Sequence, residues 1–94
     1  MDKIKAIGMM SALAQPTRLD VFLTLSRIGP EGLSVGELAK LMETLPNSMS
    51  THLAILARAG VVTPSRVGRV VTYAVDPDAA KSLAVFLLEG GREA

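Results

Sequence analysis

The chain has 94 residues, a formal net charge of +1 and no cysteine, and 49% of its residues are apolar against 20% charged. This length and composition predict one globular domain, residues 1–94, and exclude a disordered chain. The lack of cysteine excludes a disulfide framework, a thiolate metal site and a thiol nucleophile.

The apolar runs of the sequence fall short of the roughly 18 residues that a membrane span needs. The first ten residues, MDKIKAIGMM, have helical spacing and lack a small-residue cleavage site, which argues against a signal peptide. We therefore expect a cytoplasmic protein.

Apolar residues at helical spacing predict two helices in the first third of the chain. The first runs from 3 to 14. The second begins at Pro16, where the missing N–H of proline costs nothing, and runs to Arg27. The predicted apolar stripes are Ile4, Ile7, Met10 (or Met9) and Leu13 in the first helix, and Leu19, Phe22, Leu23 and Leu25 (or Ser26) in the second.

Ser34 and Glu37 mark the start of a third helix, because the pattern S-x-x-E forms a capping box. Leu33 before the cap and Leu38 after it fit a hydrophobic staple. The helix is predicted to run from 35 to 42. Its expected inward side chains are Leu38, Leu41 and Met42.

The segment LPNSMSTHLAILARAG predicts a fourth helix from 46 to 58. Its first residue is a proline, which suits that position, whereas Leu45 is a poor N-cap. At about 100° per residue, Met49, Leu53 and Leu56 form an apolar stripe. The side chains on the other side and its edges are Asn47, Ser48, Ser50, Thr51, Ala54 and Arg58.

The sequence then changes to VVTPSRVGRVVTYAV, which predicts a β-hairpin over 61–75 with its tip at 67–69. A last helix follows, with Asp76 as N-cap and Pro77 at the first position, and it ends at Gly90. The predicted fold is therefore mainly α with a β-hairpin wing, in the order α-α-α-α-β-β-α.

A short capped helix, a tight turn, a longer helix and a valine-rich hairpin form a winged helix-turn-helix layout. The interval between Glu43 and Asp76 contains arginines and no acidic residue, so this surface is expected to meet an anion. Small polar side chains on the fourth helix suit base edges and phosphates, and arginines suit phosphates or the minor groove. An ordinary solvated helix face and a generic charged hairpin tip are the alternatives. The candidate DNA-binding residues are Asn47, Ser48, Ser50, Thr51, Arg58, Arg66 and Arg69.

His52, the only histidine, falls on the flank of the apolar stripe of the fourth helix. A lone histidine there is more often a packed or hydrogen-bonded residue than a metal ligand, and any site would depend on carboxylates for its other ligands. We expect no metal and no other cofactor. An enzyme would need a paired nucleophile and base or two facing carboxylates, so we expect no catalytic site.

Four stretches resemble motifs of the ArsR/SmtB family of bacterial winged-helix repressors. LAQPTRLDVFLTL is similar to the second-helix motif, SVGELAKLM to the positioning helix, MSTHLAILARAGVV to the recognition-helix motif and RVGRVVTYAV to the wing pattern. They occur in the family's order and spacing and cover nearly the whole chain. The resemblance implies DNA contact by Ser50, Thr51 and the polar residues just before them. It leaves Arg18 as either a structural residue or a contact to the DNA backbone.

The resemblance also implies a sequence-specific transcriptional regulator. In this family a homodimer, built by the first and last helices, binds a partly palindromic double-stranded operator and represses until an inducer releases it. Apolar side chains on those two helices agree, because self-association would bury them. The expected interface residues are Ile4, Ile7, Leu83, Phe86 and Leu87.

The chain departs from the metal-sensing members of the family at both of their usual metal sites. The positioning helix has no cysteine and the last helix has no histidine, so neither site can be transferred. An inducer, if one exists, is expected to be a small molecule or a partner protein rather than a soft metal held by cysteine. The alternative function is a winged-helix module that binds a protein instead of DNA.

Overall fold

The computed structural model describes residues 1–92 as five α-helices and a three-stranded antiparallel sheet. Within that range, no helix is both long enough and apolar enough to cross a membrane. The predicted order of helices and hairpin strands is confirmed, and the structure adds a short strand before the third helix. The elements are α1 (Lys3–Leu13), α2 (Pro16–Ile28), β1 (Leu33–Ser34), α3 (Val35–Leu41), α4 (Pro46–Arg58), β2 (Val62–Val67), β3 (Val70–Val75) and α5 (Pro77–Leu88).

Side-chain caps begin most of the helices. The predicted capping box of α3 is confirmed: Ser34 Oγ accepts from the Glu37 N–H at 3.2 Å, and Glu37 Oε1 accepts from the Ser34 N–H at 2.9 Å. The bond from the Ser34 N–H, together with the bond to the Ser34 hydroxyl, lowers the pKa of the Glu37 carboxyl. In α5, Asp76 caps the first turn as predicted. In contrast, α4 begins after Leu45, whose apolar side chain supplies no capping oxygen.

The sheet has the strand order β1-β3-β2 and ties the wing to the helices. Leu33 pairs with Tyr73, and Ser34 pairs with Thr72. The sequence did not predict β1, because two residues are too few to show a periodic pattern. Gly32 leads into this strand with φ +64°, and a Cβ at that position would lie 2.3 Å from the Tyr73 carbonyl oxygen. Only glycine fits there.

The core lies between the helices and the sheet, and α4 supplies its centre. Met49, Leu53 and Leu56 are fully buried, as predicted. In α3, Leu38 is buried and Met42 packs against the core, as predicted. The prediction is wrong at Leu41, which is 59% exposed, because α3 turns Ala39 inward beside Leu38. At 100° per residue, Leu41 lies about 110° from the middle of that inward face.

Both α1 and α2 turn partly different faces inward from those predicted. Both helices carry large apolar side chains around much of their circumference, so spacing alone did not identify the inner face. Leu25 and Met9, the alternative to Met10, are buried as predicted, and Leu13 and Phe22 pack against the core as expected. The buried residues are Ala6, Met9 and Ala12 in α1 and Val21 and Leu25 in α2, whereas Ile4, Ile7, Met10, Leu19 and Leu23 are exposed.

Candidate DNA-binding surface

The candidate DNA-binding residues of α4 lie on the exposed side of the helix. Because the three-residue apolar stripe of α4 is fully buried, the rotation of the helix about its axis is fixed, and its polar side chains point outward. We call these exposed residues the α4 face. They are Asn47, Ser48, Ser50, Thr51 and Arg58.

The first turn of α4 suits an anionic partner. No acidic residue lies in that turn, and its N-cap is an apolar leucine, so backbone N–H groups of the turn are left to other acceptors. The helix dipole adds partial positive charge at this end. Arg58 adds a full positive charge in the last turn. The α4 face is therefore electropositive at both ends and small and neutral between them.

Thr51 is already engaged within the helix. Its Oγ1 donates to the Asn47 carbonyl oxygen at 3.2 Å, one turn earlier. The hydroxyl proton is used in this bond, so the oxygen remains as an acceptor and the methyl group as an apolar contact. On the exposed α4 face, Thr51 can therefore meet an N–H donor or a methyl group of a base edge.

The wing carries the other two candidate arginines at its tip. The two-residue turn between β2 and β3 is Gly68–Arg69, inside the predicted tip, and Gly68 has φ +62°. Arg66 and Arg69 are both exposed. Arg66 Nε donates to the Gly68 carbonyl oxygen at 3.1 Å, which folds its guanidinium along the tip. This bond uses only Nε, so the terminal nitrogens of the exposed guanidinium can bind a phosphate.

His52 is half-buried beside the core, as the flank position predicted. Its Nδ1 lies 3.4 Å from Arg18 Nη1, so it is a packed, hydrogen-bonded residue. Arg18 Nε also donates to the Ala12 carbonyl oxygen at 2.6 Å. The sequence alone leaves the role of Arg18 open, because nothing in it pairs this residue with a histidine 34 positions away. Among residues 1–92, no three His, Cys, Asp or Glu side chains lie close enough together to hold a metal ion.

The two terminal helices pack against each other and expose apolar side chains. Ile4 is 84% exposed, and Ile7 and Leu87 are each 53% exposed. Phe86 is half-buried and packs against the core. The expectation that Leu83 needs a partner to be buried is wrong, because α5 already turns it into the core with only 9% of its surface exposed.

Comparison with known proteins identifies the family. The sequence model of the helix-turn-helix domain matches residues 13–64, more than half of the chain. The transcriptional activator HlyU of Vibrio cholerae is 31% identical over 83 residues, which are 88% of this chain and 74% of HlyU. The crystal structure of an ArsR family transcriptional regulator is 34% identical, with a TM-score of 0.79 over 92% of this chain and 91% of that one. The chain belongs to the ArsR family.

As a member of the ArsR family, the chain is a DNA-binding transcriptional regulator, and the resemblance inferred from the four motifs is confirmed. These relatives are transcriptional regulators rather than enzymes. The homodimeric winged helix-turn-helix DNA-binding domain of a possible ArsR-family regulator from Mycobacterium bovis shows the same fold. It is 23% identical, with a TM-score of 0.75 over 92% of this chain and 78% of that one. In this ArsR-family chain, α4 is the recognition helix and the β2–β3 hairpin is the wing.

Proposed function

We propose that the whole chain acts as one DNA-binding unit, that two copies bind a partly palindromic operator, and that binding represses transcription. The proposal rests on one observation. Because the apolar stripe of α4 is buried, five polar or cationic side chains lie on the exposed side of the helix, and none of them is acidic. The sequence from 44 to 75 contains no acidic residue either, so the approach of a phosphate backbone meets no like charge there.

Within the α4 face, we assign base contacts to the polar residues of the first two turns. The Asn47 amide suits a bidentate bond to adenine, and Thr51 suits a base-edge donor or the thymine methyl group. Ser48 and Ser50 are short enough to let the helix approach the floor of the major groove. Arg58, in the last turn, suits a phosphate.

We assign the wing to the DNA backbone. Arg66 and Arg69 lie on either side of Gly68 at the end of a two-stranded ribbon. When α4 occupies the major groove, the tip of this hairpin is placed to meet phosphates or the adjacent minor groove. These contacts add affinity for any sequence and fix the register of α4.

For the dimer, we assign the interface to the exposed apolar side chains of α1 and α5. Ile4, Ile7 and Leu87, with the exposed edge of Phe86, would lose contact with water on association. Leu83 supports them from below as a core residue. The homodimeric state of the Mycobacterium bovis domain supports the same assembly here. A two-fold dimer then predicts two half-sites related by symmetry.

We further propose that this regulator has no catalytic activity, acts in the cytoplasm and uses no cysteine-held metal as inducer. The sign of regulation follows the family resemblance, although the relative HlyU is named an activator. A reporter gene behind the operator separates the two signs, since a repressor lowers its expression and an activator raises it.

Selection of bound duplexes from a random pool tests the proposed operator. We expect an enriched site with two inverted half-sites about one helical turn apart. Failure to enrich any sequence would favour the alternative, a winged helix that binds a protein.

A further inference from the structure

Arg18 connects three helices that lie far apart in the sequence. It is the third residue of α2 and is partly buried. Its Nε donates to the carbonyl oxygen of Ala12, in the last turn of α1, at 2.6 Å. Its Nη1 donates to Nδ1 of His52, in the middle of α4, at 3.4 Å. The guanidinium therefore lies between the end of α1 and the recognition helix.

Both ends of this link have fixed positions. The Ala12 side chain is buried in the core, so its carbonyl oxygen cannot move without α1. That carbonyl belongs to the last turn of α1, where carbonyl groups have no partner within the helix and favour a positive charge. At the other end, His52 stands between Thr51 on the α4 face and the buried Leu53. A rotation of α4 that moves His52 away from Arg18 therefore also changes the direction in which Thr51 points.

Only a guanidinium suits both bonds. It is planar and presents several N–H donors in a fixed fork, whereas the lysine ammonium is one point charge on a flexible stem. We propose that Arg18 is a positioning residue for operator recognition, which holds α4 at a set angle to α1 through a neutral His52. This inference rests on the proposed operator binding, because α1 is part of the proposed dimer interface and α4 carries the base contacts.

The link requires a neutral imidazole. Nδ1 accepts from Arg18 only while it carries no proton; protonated His52 has two donors and places a second positive charge 3.4 Å from Arg18. We therefore expect operator affinity to fall when His52 gains a proton, because Nδ1 can then no longer accept from Arg18. A histidine that itself touched phosphate would give the opposite sign, because it would gain charge and bind DNA more tightly.

Within residues 1–92, the charged side chains on the elements around His52, apart from Arg18, are not hydrogen-bonded to it, and none of them is hydrogen-bonded to Arg18. On α2, Asp20 and Arg27 are exposed and lie about 200° and about 180° around the helix from Arg18. The remaining charged side chains lie on α4 itself and on the other elements packed against it. They are Lys3 and Lys5 at the start of α1, Glu37 and Lys40 on α3, Arg66 on β2 and Arg58 at the end of α4.

The test measures Kd for the selected operator and for a scrambled duplex, at fixed salt, from about pH 8 to about pH 5.5. The proteins are the wild type, Arg18→Lys, His52→Gln and Arg27→Lys, the last a matched control at an exposed arginine of the same helix. We expect Arg18→Lys to weaken operator binding about five- to tenfold, the value of one hydrogen bond. Its affinity for the scrambled duplex and its salt dependence stay unchanged, and Arg27→Lys behaves like the wild type.

The pH dependence of wild-type operator binding tests the link between Arg18 and His52 even if the Arg18 variant does not fold. Wild-type operator affinity falls about three- to tenfold on acidification. His52→Gln keeps most of the affinity at high pH, because its amide oxygen can accept from Arg18, and its profile is flat. Three outcomes overturn the inference: equal losses on both duplexes in Arg18→Lys, a wild type that binds more tightly in acid, or a flat wild-type profile. A wild type that does not distinguish the two duplexes refutes the proposed operator binding instead.

Discussion

Asn47 and Thr51 lie one helical turn apart on the α4 face and are joined by the bond from the Thr51 hydroxyl to the Asn47 carbonyl oxygen. Both are short, so their polar atoms sit close to the helix axis and leave little freedom in where they point. Arg69, in contrast, is a long side chain at the exposed tip of the wing. Short, fixed groups suit the reading of base edges, and long cationic groups suit phosphates.

We predict that alanine variants of the α4 face reduce sequence discrimination, whereas an alanine variant of the wing reduces affinity for any duplex. Asn47→Ala or Thr51→Ala should reduce the discrimination between operator and scrambled duplex by about 1–3 kcal/mol. Arg69→Ala should weaken binding to both duplexes comparably and lower the salt slope by about one. Competition titrations against labelled operator measure both effects. Equal losses for all three variants on both duplexes would remove the base-contact assignment.

Among the elements, α4 was the most predictable and α1 and α2 the least. The three apolar residues of α4 face a side of short polar residues, so only one rotation of the helix buries the stripe. In α1 and α2, large apolar residues occur on both sides, so periodicity alone did not identify the inner face. In α1, for example, Ala6, Met9 and Ala12 pack closely in the core and form the inner face. The link from Arg18 could not be predicted, since it depends on the packing of three helices.

The glycine that precedes strand β1 is expected to be needed for stability. Gly32→Ala should lower the free energy of unfolding by at least about 2 kcal/mol, because the new Cβ meets the Tyr73 carbonyl oxygen and the positive φ is strained as well. Gly68→Ala is the matched control: its φ is also positive, but its Cβ would meet no atom within 4 Å in the described structure. It should cost only about 1 kcal/mol. Chemical denaturation measures both variants, and equal costs would mean that β1 does not constrain the wing.

At the scale of the whole molecule, the terminal helices decide how many copies act together. One protomer presents one recognition helix, and a dimer presents two with a fixed spacing. Joining two sites in this way raises affinity for a paired operator by about a hundredfold or more without any new DNA contact. The exposed isoleucines of α1 are therefore expected to affect operator binding although they are assigned no DNA contact.

We predict that Ile7→Glu converts the protein to a monomer and weakens operator binding about a hundredfold. Ile7 is 53% exposed in one protomer, so the change should leave the fold intact. Leu41→Glu places the same charge at a similarly exposed residue of α3 and should leave the association state unchanged. Sedimentation equilibrium measures the mass of each variant. A dimer that persists in Ile7→Glu would move the interface away from α1.

The most direct test of operator recognition by the α4 face is a salt titration of wild-type binding to the selected operator and to its scrambled duplex. We predict that log Kd rises linearly with log salt for both duplexes, because phosphate contacts release counterions. The operator should bind about a thousandfold more tightly than the scrambled duplex at physiological salt. Equal affinity for the two duplexes, or binding that salt does not affect, would contradict the account.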